Sequence, residues 1–300
     1  ILSHLVRGGF RGRIYPVNPR EEEILGLKVF RSISDIPETP DLAVIVVPPS
    51  GVPSVIRECT AKGVKAGVVI TAGFAEVGRD GELLQREMVA AARAGGMILV
   101  GPNGNGIMNP AHGLHPHMAP LFPPSGPVSV VSQSGNVANS TTRRAALQGF
   151  GVSKVVSSGN EADLHFDDYL EYLAEDPQTK VILSYVEGFR DGSRFLRVAR
   201  ATSRKRRMTT AATAAQRPVL SAGGFPPGGG DEVLTVNVWV RDALFPLMSL
   251  AQTVTVYVPA CVNTRPTVHV GPVVLVIVRF WSNDGPTTCA DTFATPVSAS

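Results

Sequence analysis

The chain has 300 residues, enough for about two domains, with 44% apolar and 18% charged residues. A net charge of +3 is too small to argue for a nucleic-acid partner. Three scattered cysteines, Cys59, Cys261 and Cys289, form no Cys-x-x-Cys pair, which reads against a disulfide framework or zinc site and fits a reducing cytoplasm.

The opening residues lack a charged region followed by an apolar core, so no signal peptide is expected. "ILSHLVRGGFRG" reads as the last turns of a helix and its glycine stop. A doubly wound domain would place a strand and a turn before such a helix, so the first strand is expected upstream of Ile1. "RIYPVNP" (13–19), "LAVIVVPP" (42–49), "AGVVITAGF" (66–74) and "MILVGPN" (97–103) read as strands. The middle two are near-continuous apolar runs, as strands buried on both faces are. "VPSVIRECTAKG" and "GELLQREMVAAARAGG" have helical spacing and glycine stops. Strands separated by such helices indicate right-handed βαβ units and a parallel sheet.

Residues 109–127 are rich in proline, carry His112, His115 and His117, and read as a linker. The spacing of the three histidines would suit a metal, but no acidic or cysteine ligand lies near, so no metal site is expected. The pattern then restarts. Strands are expected at 127–131, 152–159 and 180–188, with helices over "NVANSTTRRAALQGFG", "FDDYLEYLAED" and "SRFLRVARATSRK". His165 starts one of these helices as a surface residue.

After Lys205 the character changes. Residues 206–300 contain no lysine, five acidic residues and both tryptophans. "SAGGFPPGGG" (221–230) reads as a low-complexity loop, and "VLTVNVWV" and "VVLVIVRF" as β-like runs without matching helices. The uncharged run 243–264 is broken by proline, glutamine and threonine, which reads against a membrane span. The organisation expected is therefore a first domain over 1–122, a second over 123–205, and an unassigned segment over 206–300. The basic run "SRKRRMTT" between them reads either as a solvated helix end at a seam, with an aberrant or disordered tail beyond, or as a basic patch.

In open parallel sheets, ligands bind beyond the carboxyl ends of the strands. Four such ends in the first domain offer Asn18 and Arg20; Pro48, Pro49 and Ser50; Thr71, Ala72 and Gly73; and Asn103. Small residues and prolines let the backbone approach a flat ligand, and Arg20 can grip a phosphate with two hydrogen bonds. Each turn alone is equally a well-chosen strand-to-helix connection; four on one edge favour a ligand groove. In the second domain, a strand delivers Ser132, Gln133, Ser134 and Gly135 to a helix N-terminus. That place suits an anion or a plain serine cap.

"GGFRGRIYPVNPR", "LAVIVVPP", "VVITAGFAEVG" and "GPNGNGIMNP" resemble the CoA-binding domain of the NDP-forming acyl-CoA synthetases, the superfamily of the succinyl-CoA synthetase α chain. "VSVVSQSGNV" and "SSGNEADLHFDDYLEYLAEDPQTKVILSYVEG" resemble the flavodoxin-like domain that follows it; the likeness runs over about residues 8–204. It implies an α/β fold, a Rossmann-like CoA-binding domain lacking its first strand, a flavodoxin-like domain and an unassigned C-terminal segment. It also implies that Arg20 meets CoA phosphate, that Pro48, Thr71, Ala72, Gly73 and Asn103 line the nucleotide and pantetheine path, and that Ser132–Gly135 face a phosphorylated histidine oriented by Glu187.

The implied reaction joins a small carboxylic acid to CoA while ATP or GTP is cleaved, through acyl phosphate and phosphohistidine. Nucleotide and Mg2+ would enter through an ATP-grasp domain or subunit not visible in this sequence. Three departures stand out. The family's glycine-rich CoA turn would precede Ile1. Gly104 stands where the family often has cysteine. The stretch 206–230 after Lys205 holds no histidine, and the later His269 lies in an unrelated context. The alternative implied is a non-catalytic CoA- or acyl-CoA-binding regulatory module of a protein acetyltransferase. An NAD-dependent dehydrogenase is disfavoured, because no Gly-x-Gly-x-x-Gly fingerprint is present.

Overall fold

The computed structural model describes residues 1–213, 234–239, 252–256 and 273–278. The chain runs α1 (Leu2–Arg7), β1 (Arg13–Val17), a short pair β2 (Glu23–Ile24) and β3 (Leu27–Lys28), β4 (Leu42–Val46), α2 (Val52–Ala61), β5 (Ala66–Val69), α3 (Arg79–Ala94), β6 (Ile98–Val100) and β7 (Gly106–Met108). It continues through β8 (Ser125–Ser132), α4 (Gly135–Leu147), β9 (Val152–Ser157), α5 (Phe166–Glu175), β10 (Val181–Val186), α6 (Gly192–Lys205), β11 (Arg207–Thr213), β12 (Leu234–Trp239), β13 (Gln252–Val256) and β14 (Val273–Val278). Every strand and helix expected between Arg13 and Lys205 is present. The loop expected at 221–230, most of the run 243–264, His269, Cys261 and Cys289 lie outside the described residues.

The first sheet has the order β1-β14-β4-β5-β6 and is parallel throughout. Its two faces follow from alternation along each strand. Ala43 and Ile45 point to one face, where Val52, Ile56 and Cys59 of α2 and Met88 and Ala92 of α3 cover them. Leu42 and Val44 point to the other, against Leu2 and Leu5 of α1. β14 lies between β1 and β4, parallel to both.

The second sheet has the order β13-β12-β11-β10-β8-β9-β7. Val131, Ile182 and Val186 pack under Phe166, Leu170 and Leu173 of α5 and Phe195 and Val198 of α6. Val130 and Val155 face Ala138 of α4. Fully burying one side chain such as Leu170 contributes about 2 kcal/mol. Asp191 caps α6, its Oδ1 accepting from the Arg194 N–H at 2.9 Å. The basic run at Lys205 does close a helix, but β11 then pairs in parallel with β10 from Arg207↔Val181 to Ala212↔Val186. The sheet thus continues beyond Lys205 through β11, β12 and β13.

The proline-rich stretch at 109–122 is packed rather than free. β7 pairs antiparallel with β9, and Asn109 and Leu114 form an isolated bridge. His115 and His117 are buried; His4 Nδ1 lies 2.6 Å from the His117 carbonyl oxygen. Among the described residues no group of three His, Cys, Asp or Glu side chains is placed to hold a metal.

Burial, chiefly, holds His117 down to about 4, with the nearby His4 and His115 acting in the same sense. An unfolded histidine titrates near 6.5. Stability from this group is therefore complete above about pH 6.5 and lost as pH falls toward 4. His117→Asn should remove about 2 kcal/mol of the stability difference between pH 7 and pH 5, measured by urea denaturation. An unchanged acid limb would contradict this.

Candidate functional site

Four loops meet at the carboxyl edge of the first sheet. Asn18, buried after β1, accepts the Arg20 N–H on its Oδ1 at 2.9 Å, so the turn is shaped by Asn18 while Arg20 itself is exposed. Pro49 and Ser50 open a 3-10 turn (Pro49–Gly51) that leads into α2. Thr71 donates its hydroxyl to the Val47 carbonyl at 2.7 Å, tying the ends of β4 and β5 together. Gly73 has φ +101, and a Cβ there would lie 3.0 Å from Pro49 Cγ; only glycine fits that turn without strain. Ala72 and Asn103 are exposed on the same edge, and the Asn103 N–H donates to the Thr71 carbonyl at 2.9 Å.

A second feature lies where this edge meets the second sheet. Asn103, Asn105, Gln133, Ser134, Gly135, Asn136 and Glu187 line a polar cavity of about 280 Å3. Its floor is the N-terminus of α4, where the first-turn N–H groups and the helix dipole favour an anion. Ser134 is the α4 cap, accepting from the Val137 N–H at 3.5 Å. Ser132 is buried and donates to the Ser134 carbonyl at 2.6 Å, and it does not line the cavity. Gln133 Oε1 accepts from the N–H groups of Glu187 (2.6 Å) and Gly188 (3.0 Å). That fixes the backbone from which the exposed Glu187 carboxylate projects.

Asn105 and Asn136 were missed from the sequence, as was Glu161. The first two had a signal, since each sits one or two residues from a motif residue. Glu161 is 7% exposed and adopts φ +52. It accepts from Ser158 Oγ (2.6 Å), Gln133 Nε2 (3.0 Å) and the Phe166 N–H (3.0 Å). Burial raises its pKa to about 7, against the opposing effect of those hydrogen bonds. Gly104 also has a structural reason. A Cβ at that position would lie 2.3 Å from the Ser157 carbonyl oxygen, so this backbone has no room for a side chain there.

The strand-end loops of the first sheet meet, through Asn103, a polar cavity at the N-terminus of α4, in a CoA-binding domain followed by a flavodoxin-like domain. A family model described as "CoA binding domain" matches residues 1–110, and one described as "Succinyl-CoA ligase like flavodoxin domain" matches residues 125–217. The chain belongs to the NDP-forming acyl-CoA synthetase family. It is 47% identical over 197 residues to an acetate–CoA ligase (ADP-forming) of Methanocaldococcus jannaschii, covering 66% of this chain and 28% of that protein. It is 43% identical over 195 residues to the α subunit of acetate–CoA ligase (ADP-forming) II of Pyrococcus furiosus, covering 65% of this chain and 42% of that one. A solved acetyl-coenzyme A synthetase 1 of Ca. Korarchaeum cryptofilum, in complex with phosphate and ADP, superposes with a TM-score of 0.67 at 38% identity, over 70% of this chain and 46% of that chain. The chain thus spans less than half the length of each of these relatives.

Proposed function

We propose that this chain supplies the CoA-binding and phosphoryl-facing part of an acyl-CoA synthetase that joins a small carboxylic acid to CoA as ATP or GTP is cleaved. The observation that carries this reading is the shared wall. Asn103 lies in the loop after β6, at the groove, and also lines the anion cavity. A thiol carried along the groove therefore arrives beside a site built for a phosphoryl group. Arg20, Asn18 and the turns at Pro48–Ser50 and Thr71–Gly73 hold the carrier. Ser134 and Gly135 present hydrogen-bond donors and the helix dipole to the anion, while Gln133, whose amide is held by Glu161, Glu187 and Gly188, fixes the wall beside them. Glu187 is the carboxylate that would orient a phosphorylated histidine. The nucleotide and Mg2+ belong to an ATP-grasp partner, as a domain or a subunit, and the assembly works in the cytoplasm. No helix among the described residues is long and apolar enough to cross a membrane.

A second reading is favoured by one observation: among the described residues, none lining the cavity is a histidine. On that reading the chain is a CoA- or acyl-CoA-binding regulatory module. Both readings require CoA binding. A ligand present at 100 times its Kd stabilises the fold by about 2.7 kcal/mol. CoA is thus expected to raise the melting temperature by several degrees while NAD does not. Equal shifts with NAD would point to a dinucleotide enzyme instead. Incubation with γ-labelled ATP is expected to leave the chain unlabelled; acid-labile label on this polypeptide would contradict that expectation.

A further inference from the structure

The loop between β9 and α5 reaches both sites at once. Its backbone runs antiparallel along the free edge of β6 and beyond. The N–H groups of Asn160, Ala162 and Leu164 donate to the carbonyls of Pro102 (2.9 Å), Gly101 (3.0 Å) and Leu99 (3.3 Å). Asp163 Oδ2 accepts the Leu99 N–H (3.0 Å), and its Oδ1 pairs with Arg93 Nε at 3.1 Å. The loop belongs to the second sheet by connection and to the first by hydrogen bonding.

Two consecutive side chains on this loop face opposite ways. Asn160 faces the groove. Its Nδ2 donates to Gln85 Oε1 (3.0 Å) and to Glu76 Oε2 (2.5 Å), and its Oδ1 accepts from Asn103 Nδ2 (3.2 Å). Glu76 in turn accepts the N–H groups of Gly73 (2.5 Å) and Phe74 (3.2 Å) on Oε1, so it shapes the turn that the groove presents to its ligand. Glu161 lies buried behind the anion cavity and holds the lining residue Gln133, which holds the Glu187–Gly188 backbone. The two halves join at a non-glycine residue in the left-handed region. Such a conformation persists only where its surroundings over-determine it.

Resting on the functional reading above, we infer that Asn160 and Glu161 are positioning residues forming a two-sided strut that couples the CoA groove to the anion cavity, so that each ligand strengthens binding of the other. A ligand that orders the 71–74 turn favours the Glu76–Asn160 contact. That contact holds Glu161 in its strained conformation, and Glu161 keeps Gln133 clamped on the cavity wall. Linkage makes the effect reciprocal.

The test uses the 300-residue chain with CoA and inorganic phosphate as probes, followed by calorimetry. Saturating CoA is expected to tighten phosphate binding about five-fold or more, within the usual range of coupling. Asn160→Ala should bring that factor to about one. Glu161→Gly, which suits the positive φ and so guards against a folding artefact, should do the same. In the ligand-free protein, Asn160→Ala should also speed amide hydrogen exchange at Glu187 and Gly188 by about five-fold, relative to the amides of β5. Wild type that binds both ligands without coupling, or a folded Asn160→Ala variant that keeps both the coupling and slow exchange at 187–188, overturns the strut. Failure of wild type to bind either ligand overturns the functional reading itself. The exchange experiment then still decides whether Asn160 holds the cavity wall.

Discussion

Replacing Asp176 with alanine is expected to cost about 3–5 kcal/mol of stability. Asp176 Oδ2 sits 2.6 Å from Lys154 Nζ, with side-chain exposures of 7% and 11%. The same carboxylate accepts from Thr179 Oγ1 and Ser153 Oγ. Thr179 also shares a hydrogen bond with Ser129 of β8 at 2.8 Å. The group therefore ties β9 to the turn after α5 and to the centre of the second sheet. Burial disfavours the charge, and the bonds from Lys154 and Thr179 more than offset it, leaving the carboxyl below its usual range. Alanine would strand the ammonium of Lys154 in a site with little water. The double variant Lys154→Met/Asp176→Leu removes both charges and should recover most of the loss, because paired removal leaves no orphan. Chemical denaturation of Asp176→Leu, Lys154→Met and the double variant measures this. If the double variant is as unstable as the two single changes summed, the pair is not the coupled unit described.

The second large effect is a pH dependence of opposite sign to that of His117. Glu161 holds its proton to about pH 7 in the fold, whereas an unfolded glutamate releases it near 4.3. Between those values the native state binds more protons than the unfolded state, so stability falls as pH rises. The contribution is complete below about pH 4.3 and gone above about pH 7, on the order of 3 kcal/mol in all. Glu161→Gln imitates the protonated form and keeps the shape. The wild-type-minus-variant stability difference should therefore change by about 2 kcal/mol between pH 5.5 and pH 8, with the variant gaining relative to wild type. A flat difference curve would mean that Glu161 is ionised throughout.

These effects lie largely outside what the sequence makes legible. The apolar runs at 42–49 and 66–74 announce strands because, near-continuous, they must face helices on both sides of a sheet. The turns after them announce a groove because Gly73, Pro49 and Asn103 fit only particular backbones. What local pattern does not encode is pairing across domains. Residues 160–164 read as an ordinary turn before α5, yet they extend the first sheet along β6. Gly106–Met108 is too short and too glycine- and proline-bound to read as a strand, yet it closes the second sheet beside β9. His115 and His117 read as linker residues because polar side chains among prolines suggest solvent, and their burial against α1 depends on Gly8, where a Cβ would lie 2.4 Å from His115 Cδ2. Ser132 sits in the right motif, but its hydroxyl is taken by the Ser134 carbonyl. Beyond Lys205 no helical rhythm remained to mark β11.

Occupancy of the strand-end groove is the proposition on which the rest stands. Isothermal titration of the chain with CoA, beside an Arg20→Ala variant, addresses it directly. Saturable binding below millimolar CoA, weakened about ten-fold or more by loss of the guanidinium's charge-assisted phosphate contact, is the expected result. No heat of binding at millimolar CoA, or identical isotherms for the two proteins, would contradict it.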